Sequence, residues 1–150
     1  MEYATASRMI QAPLEDVFAT IADIRNFSEA VDDIVSVEFL TEQQSGVGTR
    51  FRETRRMNGR ENTTELEVTE YVFNDRIRLI SVAGGTVWDT IFTVRSVENK
   101  TELRLVMDAK PQHLLAKVMI RLVRKMVNRF LQADMDAVQR YCEQVRCSKL

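Results

Sequence analysis

A run of apolar-patterned segments joined by tight turns extends from Gly46 to Ala109 and leads into one amphipathic stretch, Pro111 to about Arg146. A meander that wide, followed by a helix that long, constrains the fold more than any other feature. Roughly 36 residues at about 1.5 Å each give a helix of about 54 Å. A compact domain of this size has a radius of gyration of about 15 Å, so the helix must cross the whole body. A curled sheet crossed by a helix encloses space, and function is expected between the two.

The hairpins set their own register. Asn58-Gly59 is the strongest two-residue hairpin signal, because both central positions of a type I′ turn need positive φ. Folding about it sets Met57 against Arg60, Arg56 against Glu61, Arg52 against Glu65 and Arg50 against Glu67. Those charge pairs mark a solvent face. The opposite face, with Phe51 against Leu66 and Thr49 against Val68, is the core side. Glu53 opposite Thr64 and Arg55 opposite Asn62 share that inner parity near the tip, and a tip reaching past the core would leave both faces in water.

Gly84-Gly85 and Glu98-Asn99 close two further hairpins, and Asn74-Asp75 is a third turn. Carrying the parity forward puts Ile77, Leu79, Ser81, Trp88, Thr90, Phe92, Val94, Leu103, Leu105 and Met107 inside. Glu70 falls inside as well, where a buried carboxyl would be an acid/base candidate with a raised pKa. A β-bulge near Thr69–Tyr71 would return it to solvent. Ile80, Val82, Val87, Ile91 and Val106 form an outer apolar strip.

Ahead of the meander, Glu2–Ile10 reads as a strand. Ala12-Pro13 opens a helix with Glu15 and Asp16 at its positive end, Asp23–Val31 forms a second short helix, and Val35, Val37 and Phe39 mark another strand. The order is β-α-α-β6-α, in one domain spanning residues 1–150.

These residues resemble a family. Ile10 through Phe18 and Ile21-Ala22-Asp23 look like the opening of the polyketide cyclase/dehydrase and lipid-transport proteins of the START and Bet v 1-like superfamily. Gly48-Thr49-Arg50-Phe51, Val68-Thr69-Glu70-Tyr71 with Arg76, and Thr101-Glu102-Leu103 extend the resemblance over nearly the whole chain. It implies an α+β helix-grip fold: a seven-stranded antiparallel sheet curled around a long C-terminal helix, with two short helices after the first strand. Where many relatives carry a Trp or Pro near the end of the second helix, this chain has Ser28-Glu29-Ala30, at one wall or mouth of the implied cavity.

A cavity between sheet and helix would be lined by Phe51, Leu66, Leu79, Ser81, Trp88, Thr90, Phe92, Leu105 and Met107 from the strands. Leu115, Met119, Leu122 and Met126 would line it from the helix. Such a lining suits a hydrophobic or amphipathic small molecule such as a lipid, polyketide or isoprenoid, with methionines adapting to varied shapes. The same side chains equally describe a dry core. The competing readings are a cyclase or dehydratase using the cavity, with Glu53, Arg55 and Glu70 as its candidate catalytic groups, and a protein-interaction module.

The rest of the chain narrows the classes. A net charge of −1 gives no global pull toward nucleic acid. No apolar run reaches the roughly 20 residues of a membrane span, and the first residues lack the pattern of a signal peptide. Cys142 and Cys147, about 140° apart around a helix, read as reduced thiols of a cytoplasmic protein. No metal-ligand cluster or cofactor motif is present, and His113 opens the last helix as an ordinary polar residue. Lys117, Arg121, Arg124, Lys125 and Asn128 form a polar strip on that helix, with Ile120 and Leu131 at the edges of its apolar band. Together with the outer-sheet strip, that flank suggests a homodimer. A membrane-surface role is disfavoured at this level because the sheet needs the same apolar face.

Overall fold

A computed structural model describes residues 2–148, with side chains as far as Gln144. Alternation of apolar and polar residues makes the strands, and the turn residues place their ends. The elements are β1 (Glu2–Ile10), α1 (Leu14–Ala22), α2 (Ile24–Ala30), β2 (Ile34–Phe39), β3 (Arg50–Met57), β4 (Arg60–Val72), β5 (Arg76–Ala83), β6 (Thr86–Val97), β7 (Lys100–Pro111) and α3 (Leu114–Ser148). The seven strands form one antiparallel sheet in the order β1-β7-β6-β5-β4-β3-β2. The helix-grip arrangement expected from the sequence is present.

The turns behave as their chemistry dictates. Asn58 and Gly59 have φ of 54° and 77°, and the β3–β4 register runs from Met57↔Arg60 to Arg50↔Glu67. Of the outer charge pairs, Arg56 meets Glu61 at 2.7 Å and Arg50 keeps Glu67 at 3.9 Å while also binding Glu65, whereas Arg52 reaches Glu38 on β2. Glu98, at φ 55°, closes the β6–β7 hairpin. The Asn74-Asp75 turn is present but one residue longer: Val72 pairs with Arg76, so Phe73, Asn74 and Asp75 make the connection, and of the three only Asn74 takes positive φ.

The register shifts between Val68 and Glu70. This bulge turns Glu70 off the inner face, where it pairs with Arg78 across the ladder and bonds Arg76. Glu70 is therefore excluded from the interior, and its candidacy as a buried acid/base ends there.

The inner face is built in cross-strand rows. One runs Phe51, Leu66, Ser81, Trp88 and Ala109; the next runs Val68, Leu79, Thr90, Met107 and Ala4. Phe18, Ile10, Ile77, Leu103, Leu105, Met135 and Val138 form the densest part of the core, where α1 and the C-terminal half of α3 meet the sheet. Cys142 is buried there against Thr20, and burial pushes its thiol pKa up. The Cys147 side chain lies outside the described residues.

α3 does not sit centrally over the sheet. It follows β1, whose second edge has no strand partner. Arg124 Nε donates to the Tyr3 carbonyl at 3.1 Å, Gln132 Nε2 to that of Thr5 at 3.2 Å, and Gln139 Nε2 to that of Met9 at 3.0 Å. The helix thus satisfies carbonyls that an exposed edge would offer to another chain. Tyr3 donates back to the Ile120 carbonyl. Ala4 and Ala6 keep the seam narrow.

That offset overturns part of the sequence reading of α3. Ala116, Ile120 and Val127 face the sheet and Leu131 is buried, so Ile120 and Leu131 are not at an uncovered edge. Leu114, Leu115, Val118, Met119, Leu122 and Met126 are the exposed ones. Among the described residues, no helix is long and apolar enough to cross a membrane.

Candidate ligand cavity

The offset of α3 toward β1 leaves space over the middle strands. A cavity of about 310 Å³ lies there, bounded by the sheet, by Ile21, Ile24 and Phe27 of the short helices, and by Val127, Phe130, Leu131 and Asp134 of α3. Every second residue of the strands lines it: Phe51, Glu53, Arg55 and Met57 on β3, Thr64, Leu66 and Val68 on β4, Ile77, Leu79, Ser81 and Ala83 on β5. Trp88, Thr90 and Phe92 on β6 and Leu105 and Met107 on β7 complete the wall. This is the two-residue period of a pleated strand turned into a lining.

All nine strand residues expected at the cavity are therefore there. The four helix residues are not. Leu115, Met119, Leu122 and Met126 point away from it, because the sheet takes a narrower sector of α3 than its apolar band offers. Val127, Phe130 and Leu131, further along the helix and on its sheet-facing side, take their place.

Trp88 is held at the wall by two contacts. Its Nε1 donates to the Ala83 carbonyl at 3.2 Å, and its ring meets that of Tyr3 edge-on at 5.4 Å. Ser81 and Thr90 bring hydroxyls beside it.

The charged end of the cavity is the least expected feature. Arg55 is not a wet residue at a hairpin tip. Its Nη1 and Nη2 donate to the two oxygens of Asp134 at 2.9 Å each, and its Nε donates to Glu53 at 2.7 Å. The side chains of Arg55, Glu53 and Asp134 are only 16%, 11% and 12% exposed. α3 closes over the β3 tip and supplies the second carboxylate, which no local sequence signal on β3 announces.

The electrostatics of this triad are lopsided, with two carboxylates sharing one guanidinium. Burial by itself would lower the Arg55 pKa, but the charges of Asp134 and Glu53 outweigh it and hold Arg55 firmly protonated. Burial raises the Asp134 pKa; Arg55 offsets this only in part, and Glu53 and Asp33 push it further up. The cluster can accept hydrogen bonds and hold an extra proton. It is poorly suited to clamp an anion, since Arg55 is already committed to both partners.

A second ion-paired group lies on the opposite face of the sheet. Asp89, buried, accepts from Arg78 Nε at 2.8 Å and from Lys110 at 3.4 Å, and the bond from Arg78 holds its pKa below the usual carboxylate range. It has no access to the cavity. His113 is structural: its Nδ1 accepts from the Ala116 backbone N–H at 3.2 Å and so caps α3. Among the described residues, no group of His, Cys, Asp and Glu side chains is placed to hold a metal ion.

A sequence profile of the family described as polyketide cyclase / dehydrase and lipid transport matches residues 1–143. No curated protein matches in sequence. Among solved structures, TTHA0849 from Thermus thermophilus superposes with a TM-score of 0.73 at 18% identity, covering 91% of this chain and 94% of that one. Ara h 8.0201 gives 0.70 at 11% identity, over 92% and 95%. The di-domain ARO/CYC StfQ from the steffimycin biosynthetic pathway gives 0.76 at 9% identity, over 95% of this chain and 50% of its own. At such identities the likeness is one of fold.

Proposed function

The chain belongs to the polyketide cyclase / dehydrase and lipid transport family, and from that premise we propose that its cavity binds a hydrophobic or amphipathic small molecule, such as a lipid, polyketide or isoprenoid. The observation that carries this reading is an apolar-walled space with a single charged cluster at one end. Ligand sites combine that kind of lining with a few convergent polar groups. About 310 Å³ is at the small end of ligand-cavity sizes. It suits a ring compound or one acyl chain better than a two-chain lipid.

Polarity sets orientation. Aliphatic and aromatic parts would lie along Phe51, Leu79, Trp88, Phe92 and Met107, while a hydroxyl or amine would donate to Glu53 or Asp134. Native mass spectrometry of the freshly purified protein, with extraction of anything carried along, tests this directly. A stoichiometric apolar or amphipathic compound supports it. If the protein stays empty and no hydrophobic probe displaces water from the Trp88 wall, the reading fails.

A second reading, a cyclase or dehydratase in the same cavity, is favoured by one feature. Burial raises the pKa of Asp134 beside Glu53, a perturbation of the kind found at acid/base sites. The two readings separate by substitution. Asp134→Asn and Glu53→Gln would abolish turnover while sparing binding in an enzyme, and would only shift affinity in a carrier.

A further inference from the structure

Six large apolar side chains on the first half of α3, Leu114, Leu115, Val118, Met119, Leu122 and Met126, are between 45% and 76% exposed. At 100° per residue they share one sector of the helix, centred about 150° from the seam that packs on the sheet. Lys117, Arg121, Arg124 and Lys125 fill the remaining sector. The first half of α3 therefore has three faces: one against the protein, one apolar and open, one cationic. The objection that the sheet uses up the apolar face does not hold in the folded molecule.

Charge identifies the occupant. Residues 109–133 contain six Lys and Arg and no Asp or Glu, in a chain that carries 21 of the former against 22 of the latter. Among the described residues, Lys117, Arg121, Lys125 and Arg129 have no carboxylate partner. A second copy of the chain would set this cation-only surface against itself, which like charges oppose. An anionic bilayer complements both faces at once: apolar side chains enter the acyl boundary while cations meet the headgroups.

The apolar face also leads somewhere. Leu114, Val118, Leu122, Met126 and Phe130 form one i, i+4 ridge, and Phe130 is a cavity wall. We propose that the N-terminal half of α3 docks on an anionic lipid surface, with this ridge joining the surface to the cavity. Docking stands on the exposed face alone; exchange of a ligand along the ridge rests on the binding reading given above.

Sedimentation with phosphatidylcholine vesicles, with and without phosphatidylserine, tests the proposal on the intact protein. Binding is expected only with phosphatidylserine and is expected to fall as salt is raised. Arg121→Gln and Lys125→Gln should each weaken it about fivefold. Leu122→Glu, at a site too exposed to disturb folding, should abolish it, while Trp88→Ala should leave it unchanged. Equal binding to neutral vesicles, no binding at all, or a Leu122→Glu protein that binds normally overturns docking. So does a wild-type dimer that Leu122→Glu converts to monomer, since a second copy would then own the face. Docking that persists in a protein shown to take up no apolar ligand would sink the exchange step and the binding reading, but not the surface.

Discussion

Arg55 of β3 grips Asp134 of α3 through two parallel N–H···O bonds of 2.9 Å, across 79 residues of sequence. The pair ties the tip of the first long hairpin to the final helix, and it closes the polar end of the cavity. Glu53, bonded to the same guanidinium at 2.7 Å, completes that end.

Replacing Arg55 should therefore cost far more than a surface ion pair. Arg55→Met leaves Glu53 and Asp134 buried without a cation and is expected to destabilise by about 3–5 kcal/mol near pH 7. The sign with pH follows from Asp134, whose folded pKa is already raised. Its favourable contribution is full below the usual carboxylate range and is lost as pH rises through the elevated value. Without Arg55 the Asp134 carboxyl shifts higher still, so the deficit should shrink as pH falls toward about 5. Urea unfolding at the two pH values checks this, and equal deficits would refute it.

Asp89 predicts the opposite slope. Its pKa is depressed by Arg78 and Lys110, so its stabilisation is present above the usual carboxylate pKa and is lost as pH falls through the depressed value. With partly exposed partners, Asp89→Asn should cost about 1–2 kcal/mol at pH 7. Thermal melts of variant and wild type should converge in strong acid.

Trp88 is the sole tryptophan and stands in the cavity wall. Its fluorescence is expected to shift to the blue, or to be quenched, as an apolar probe fills the space. Trp88→Ala should weaken probe binding at least tenfold, because it removes the largest wall contact. A probe that binds while leaving Trp88 emission unmoved must sit elsewhere.

Gly85 has φ of +74°, and a Cβ there would lie 2.2 Å from His113 Nε2. Gly85→Ala should destabilise by about 1–3 kcal/mol through strain and clash. Adding His113→Ala relieves the clash but forfeits the cap on Ala116, worth about 1 kcal/mol. The double variant should thus show non-additive stability in calorimetry, whereas independent effects would simply sum.

Much of the sheet was legible in the sequence because its information is local. Asn58-Gly59 fixes a turn, the turn fixes a register, and the register assigns Phe51, Leu66, Ser81 and Trp88 to one row. Even the bulge before Glu70 was readable, as a charge that made no sense inside. The helix was harder. An apolar band gives the width of a greasy face but not which sector the sheet will take, so Leu115, Met119, Leu122 and Met126 were assigned to the wrong side. Asp134 was invisible for a related reason. A carboxylate on an amphipathic helix looks solvated until a distant arginine is found opposite it.

The hydrogen bonds from Arg124, Gln132 and Gln139 to the carbonyls of β1 have a consequence during synthesis. The first strand of the sheet is guarded by the last of the described elements. While α3 is still untranslated or inside the ribosome, the nascent meander carries a bare strand edge able to recruit another nascent chain. A ribosome that pauses before Gln132 would leave that edge uncovered, so prompt completion of α3 protects the nascent chain.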